Sequence, residues 1–163
     1  MTRGRLILPF EASIAQLDTA ATEAAGNYDT VWRTMKPSLT PGGERDTGRR
    51  EKAPIRLRCQ VEPSSHEAQA QGPGGDLART SISLAFHFRD LEKLSLVDPV
   101  TGDPLLRKND RLVAIYDKHG ALVQTFAYPP GVFCVQSQPR EYGLGSKRNI
   151  LLMIFQDRPQ GTR

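Results

Sequence analysis

Cysteine is scarce in this 163-residue chain, with only Cys59 and Cys134 present. Two cysteines cannot staple a disulfide scaffold, and His66, His87 and His119 share no close ligand spacing with them, so no metal or other cofactor is expected. Long apolar runs are lacking too. The longest, Ile150 to Phe155, has six residues against the roughly 20 needed to cross a bilayer, so no membrane partner is expected. Arg3 and Arg5 precede Leu6-Ile7-Leu8, but that patch meets Glu11 too soon for a secretory leader, and secretion is not expected. Aromatics are 7% of residues, which leaves few platforms for stacked bases. Charge is not of one sign: 22 Lys and Arg against 18 Asp and Glu give +4, and a pI near 9.3 permits contact with polyanions without requiring it.

What is present is turn chemistry and alternation. With 14 glycines and 12 prolines the chain is loop-rich, and its length suits one domain spanning 1–163. In 55–61 the apolar Ile55, Leu57, Cys59 and Val61 alternate with Arg56, Arg58 and Gln60, the signature of a half-buried strand. Residues 80–88 repeat it, with Ile82, Leu84, Phe86 and Phe88 on one face and His87 turned to solvent or a neighbouring subunit. Strands are expected at 6–14, 111–117, 121–127, 132–137 and 149–156, with Lys118-His119-Gly120 closing a hairpin and Tyr128-Pro129-Pro130-Gly131 breaking the ladder. The unbroken apolar 150–155 predicts burial on both faces. Short helical turns are expected at 18–26, capped by Asp18 and stopped by Gly26, and at 90–94. The fold class is therefore all-β: an antiparallel β-barrel or sandwich with long loops and one or two short helical turns.

Two stretches, 36–54 and 63–79, read as long excursions unable to bury much apolar surface alone. Both cysteines sit inside alternating runs, where a thiol packs as a small hydrophobe rather than as a nucleophile. Gly72-Pro73-Gly74-Gly75 lacks the Gly-Lys-Ser/Thr of a phosphate loop, and Gly143-Leu144-Gly145-Ser146-Lys147-Arg148 precedes a strand instead of opening a helix. No catalytic constellation is found, and an enzyme is not expected. Arg45, Arg49, Arg50 and Lys52, interleaved with Glu44, Asp46 and Glu51, form a mixed-charge patch that is either simply solvated or meets DNA phosphates or an acidic protein face. Arg56, Arg58, Lys147 and Arg148 would extend it if the fold brings them together. Tyr28 and Trp32 are either peripheral core or interface anchors.

The order of segments carries a resemblance. Leu17-Asp18-Thr19-Ala20-Ala21-Thr22, then Tyr28-Asp29, then 54–62, followed by Asn109-Asp110-Arg111-Leu112, Gly131-Val132-Phe133 and a closing apolar strand, resembles tailed-bacteriophage neck proteins of the head–tail joining, or head-closure (stopper), type. The chain departs from small stoppers in its greater length, placed in the two excursions and the N-terminal arm. The resemblance implies a virion protein made in the host cytoplasm, assembled as a ring of roughly six or twelve copies. Its implied partners are the portal or adaptor protein on one side and the tail terminator or tail tube protein on the other. The ring closes the channel after packaging and docks the tail, with genomic DNA in the channel as a further contact. A loop from 36–54 or 63–79 would be the plug. Competing classes are a small basic nucleic-acid-binding barrel and another minor tail component such as a tail terminator.

Overall fold

The structure, a computed structural model of the chain, describes residues 9–24, 28–29, 31, 34–35, 49–62, 81–127, 131–141 and 148–157. In chain order its elements are β1 (Phe10–Ala15), α1 (Thr19–Ala24), β2 (Tyr28–Asp29), β3 (Thr34–Met35), β4 (Ile55–Glu62), β5 (Ser81–His87), α2 (Phe88–Lys93), β6 (Arg111–Asp117), β7 (Leu122–Thr125), β8 (Val132–Glu141) and β9 (Arg148–Asp157). Among the described residues β2 and β3 pair only with each other, and β7 extends β6 as a hairpin. The other six strands run β1-β4-β5-β9-β8-β6, and β6 returns to β1, so the antiparallel sheet closes into a barrel. Closure removes the edges that an open sheet of this size would leave.

Alternation explains the closure, because each strand buries one face only if all six faces meet. Ala12 lies opposite Leu57 and Ile14 opposite Ile55, while Leu84 meets Met153 and Phe86 meets Leu151 on the far wall. Apart from Ile55, these side chains, with Cys59, Leu112, Ile115, Cys134 and Phe155, form one buried cluster, against which half-buried Ile55 packs. The lumen is thus a packed core, as the small circumference of six strands requires.

Two bulges set which residues join that core. Ser13 pairs with Ala114 but Ile14 with Leu112, so Val113 is an extra residue in β6, and Leu112 and Ile115 both reach the interior although three positions apart. In β8 the register likewise skips Val135: Cys134 lies opposite inward Phe155, and Gln136 opposite Ile154. Plain alternation in the sequence does not anticipate either device.

β5 ends at His87, which is half-buried, and Phe88 opens α2 instead of closing the strand. α2 starts two residues earlier than expected because Phe88 and Leu91, one helical turn apart, are both drawn into the cluster. β8 runs on through Pro139, which lies opposite Leu151 of β9; among the described residues β6 pairs with β8 only at Val132 and Phe133, so at Pro139 the strand has a ladder neighbour on one side only. β9 is buried at Leu151, Leu152, Met153 and Phe155, with Ile154 half-buried, in line with its apolar run. In α1, Asp18 caps the helix through the Ala21 N–H at 3.0 Å, whereas Gly26 and the strand expected at 6–8 lie outside the described residues. Among the described residues no helix is long and apolar enough to cross a membrane.

Candidate functional site

Residues 49–54, the described part of the mixed-charge segment before β4, are not a free excursion. The β1–β4 pairing continues past the Ala53-Pro54 break: Lys52 N–H donates to the Gln16 carbonyl and Asp18 N–H to the Arg50 carbonyl, both at 2.9 Å, around a bridge between Leu17 and Glu51. An extended segment sends successive side chains to opposite faces. Arg49 and Glu51 therefore turn inward, while Arg50 and Lys52 are exposed, and Arg56 and Arg58 continue the exposed row along β4. The result is an outward stripe of four cations, interrupted by exposed Ala53 and Pro54. Arg56 lies over the Tyr116 ring, 3.9 Å from its centroid, which fixes part of the stripe against β6.

The inward pair builds a polar node at one end of the barrel. Glu51 accepts from Arg111 Nη2 at 2.7 Å through Oε2 and from Arg111 Nε at 2.9 Å and Arg49 Nε through Oε1. Arg49, whose side chain is 5% exposed, also donates from Nη2 to the Asn109 carbonyl at 2.6 Å and covers the Phe133 ring at 4.8 Å. Next to it, buried Asp110 accepts the backbone N–H of Leu17 at 3.0 Å and of Arg107 at 2.8 Å. Asn109 adopts a positive φ of 77°, a conformation asparagine tolerates, and the Asn109 and Asp110 backbones exchange hydrogen bonds with Cys134. Thr22, fully buried, accepts from the Arg50 N–H at 3.1 Å and donates to the Asp18 carbonyl at 2.6 Å, tying α1 to the same corner.

These contacts set the ionisation. Burial works against the Glu51 charge, but the Arg111 and Arg49 guanidiniums outweigh it and hold its carboxyl below the ordinary carboxylate range. For Asp110 burial prevails over the two backbone N–H bonds and the nearby arginines, pushing it up to about 6. Burial raises the Cys59 and Cys134 thiols to about 12. A thiol so raised is a poor nucleophile. Every buried side-chain N or O atom among the described residues has a hydrogen-bond partner, and no three His, Cys, Asp or Glu among those residues come together as a metal cluster.

Of the residues singled out from sequence, Arg50 and Lys52 stand on the outward stripe and Arg49 in the node. Tyr28 and Arg148 lie in β2 and β9 as backbone positions. Trp32, Arg45 and Lys147 fall outside the described residues, as do 36–48 and 63–79. Glu51, Asn109, Asp110, Arg111 and Phe133 carry the node without having been picked as site residues. The signal available for them was the polar turn Asn109-Asp110 entering a strand.

No family model, curated protein or solved structure matches this chain.

Proposed function

We propose that the chain is a structural subunit of the tailed-phage neck. It assembles as a ring between the portal or adaptor and the tail terminator or tail tube, closes the DNA channel and docks the tail. The observation that carries this reading is where the ionisable groups are spent. The largely buried side chains of Glu51, Arg49 and Arg111 and the buried Asp110 are committed to joining distant segments, and the lumen is filled, so the features left for function lie on the outside of the barrel. That division suits a protein that works by presenting surfaces to neighbours, and the order of segments that resembles neck proteins names which neighbours. Mass spectrometry and cryo-electron microscopy of particles from an infection carrying this gene test it. Density for the barrel in a ring at the head–tail junction is the expected result, and absence of the chain from mature particles overturns the proposal.

A second reading, a small basic nucleic-acid-binding barrel, is favoured by one observation, the outward row of Arg50, Lys52, Arg56 and Arg58. If that row tracks a duplex backbone, the affinity of the isolated chain falls with a log–log salt slope of about −3 to −4, as four phosphate contacts require. A chain that enters particles and binds free DNA without such a slope removes this reading.

A further inference from the structure

The connection from α2 to β6 carries a feature the fold does not use. Val97 and Pro104 form a bridge, Asp98 N–H donates to the Asp103 carbonyl at 2.8 Å, and the Asp98 carboxylate accepts the N–H groups of Val100 and Thr101 at 2.8 and 3.3 Å. Gly102, at a φ of 71° that suits glycine, closes the turn by donating to the Asp98 carbonyl. A turn held by so many bonds has little freedom, yet it presents Val100 with 91% of its surface exposed. Of the large apolar side chains it is the most exposed among the described residues. Within 98–104 the only charges are the carboxylates of Asp98 and Asp103.

The outward stripe is its chemical complement. Lys52 and Arg56 bracket exposed Ala53 and Pro54, an apolar seat between cations; Arg50 extends the positive field on one side, and on the other Arg58 does so beside Glu11, its partner on β1. A phosphate backbone would use the cations alone and leave that seat idle, whereas an apolar knob between two carboxylates matches both parts. The tip is not resting on the stripe of its own molecule, because Val100 is exposed. Two complementary patches at different places on one chain generate a head-to-tail contact that repeats from copy to copy and closes into a ring when the rotation allows.

We propose that the 98–104 turn docks on the Arg50–Lys52–Arg56–Arg58 stripe of a second copy of this chain, with Val100 seated on Ala53 and Pro54 and Asp98 and Asp103 facing the flanking cations. This deepens the ring reading above and rests on it for its biological setting.

The test is complementation between two variants of the full chain, followed by sedimentation velocity after circular dichroism has verified the fold of each. Val100→Asp spoils the tip and leaves the stripe, and R56E/R58E spoils the stripe and leaves the tip. Each alone is expected to self-associate roughly thirtyfold more weakly than wild type, the loss of a central contact. Mixed, they are expected to form a heterodimer that stops at two copies, because one good tip meets one good stripe. A wild-type chain that stays monomeric at every concentration overturns the inference, as does a Val100→Asp chain that associates like wild type. Loss of oligonucleotide binding by R56E/R58E with self-association unchanged also overturns it and assigns the stripe to nucleic acid. Particle incorporation of Val100→Asp separates this from the neck reading: a variant that still forms the neck ring refutes the contact alone, and a wild-type chain missing from particles refutes the neck assignment.

Discussion

The carboxylate of Asp110 holds the backbone N–H of Leu17 at 3.0 Å across 93 positions of sequence. Its second oxygen takes the Arg107 N–H, and its own carbonyl takes that of Cys134, so one residue joins the exit of β1, the loop before β6 and the start of β8. Arg49 and Arg107 are the charged groups that favour its ionised form, and burial opposes it.

That balance gives a pH dependence of definite sign. The folded state raises the Asp110 pKa from 3.8 to about 6, so it binds the proton more tightly than the unfolded chain does. The resulting stabilisation is full below pH 3.8 and lost as pH rises to about 6, on the order of 2–3 kcal/mol. Thermal melts of wild type and Asp110→Asn across this range are expected to show wild type gaining on the variant at pH 4 relative to pH 7. A constant difference contradicts the assignment.

Glu51 works in the opposite sense, since its carboxyl is held low by Arg111 and Arg49 and loses that stabilisation only as pH falls through the lowered value. Removing it leaves two mostly buried guanidiniums without their shared anion. Glu51→Ala is expected to cost about 3–5 kcal/mol by urea unfolding. Glu51→Gln, which keeps the shape and an acceptor oxygen, should cost less.

Both thiols are fully buried, and burial raises them to about 12. The native protein should therefore resist alkylation near neutral pH, with both sites modified together at the rate of opening of the barrel. Mass-resolved alkylation checks this, and rapid labelling of Cys134 alone would locate an opening at the β6–β8 seam.

Val113 is the inserted residue that lets Leu112 and Ile115 share the lumen. Deleting it sets Leu112 and Ile115 two positions apart, so plain alternation keeps both in the lumen and only the bulge with its local bend is lost. The deletion variant is expected to keep cooperative melting with a lowered midpoint, and loss of cooperative melting would contradict Val113 as the extra residue.

Much of the fold is legible in the sequence. The alternation of Ile55, Leu57 and Cys59, and of Ile82, Leu84 and Phe86, determines strands with one apolar face, and Gly120 marks the hairpin between β6 and β7. Period and turn chemistry are local properties, expressed by neighbours along the chain. The stripe is half legible in the same way: Arg56 and Arg58 are outward by period, but Arg50 and Lys52 join them only because 50–52 pair with 16–18. Which way the barrel closes, and which of the charged residues near position 50 are buried, was decided by tertiary contacts. Glu51 meets Arg111 and Arg49 meets Asn109 across 60 positions, and a bulge at Val113 resets a face that alternation alone would misplace. Composition cannot encode such partners, since an inward charge is tolerable only where the closed barrel delivers its counter-ion.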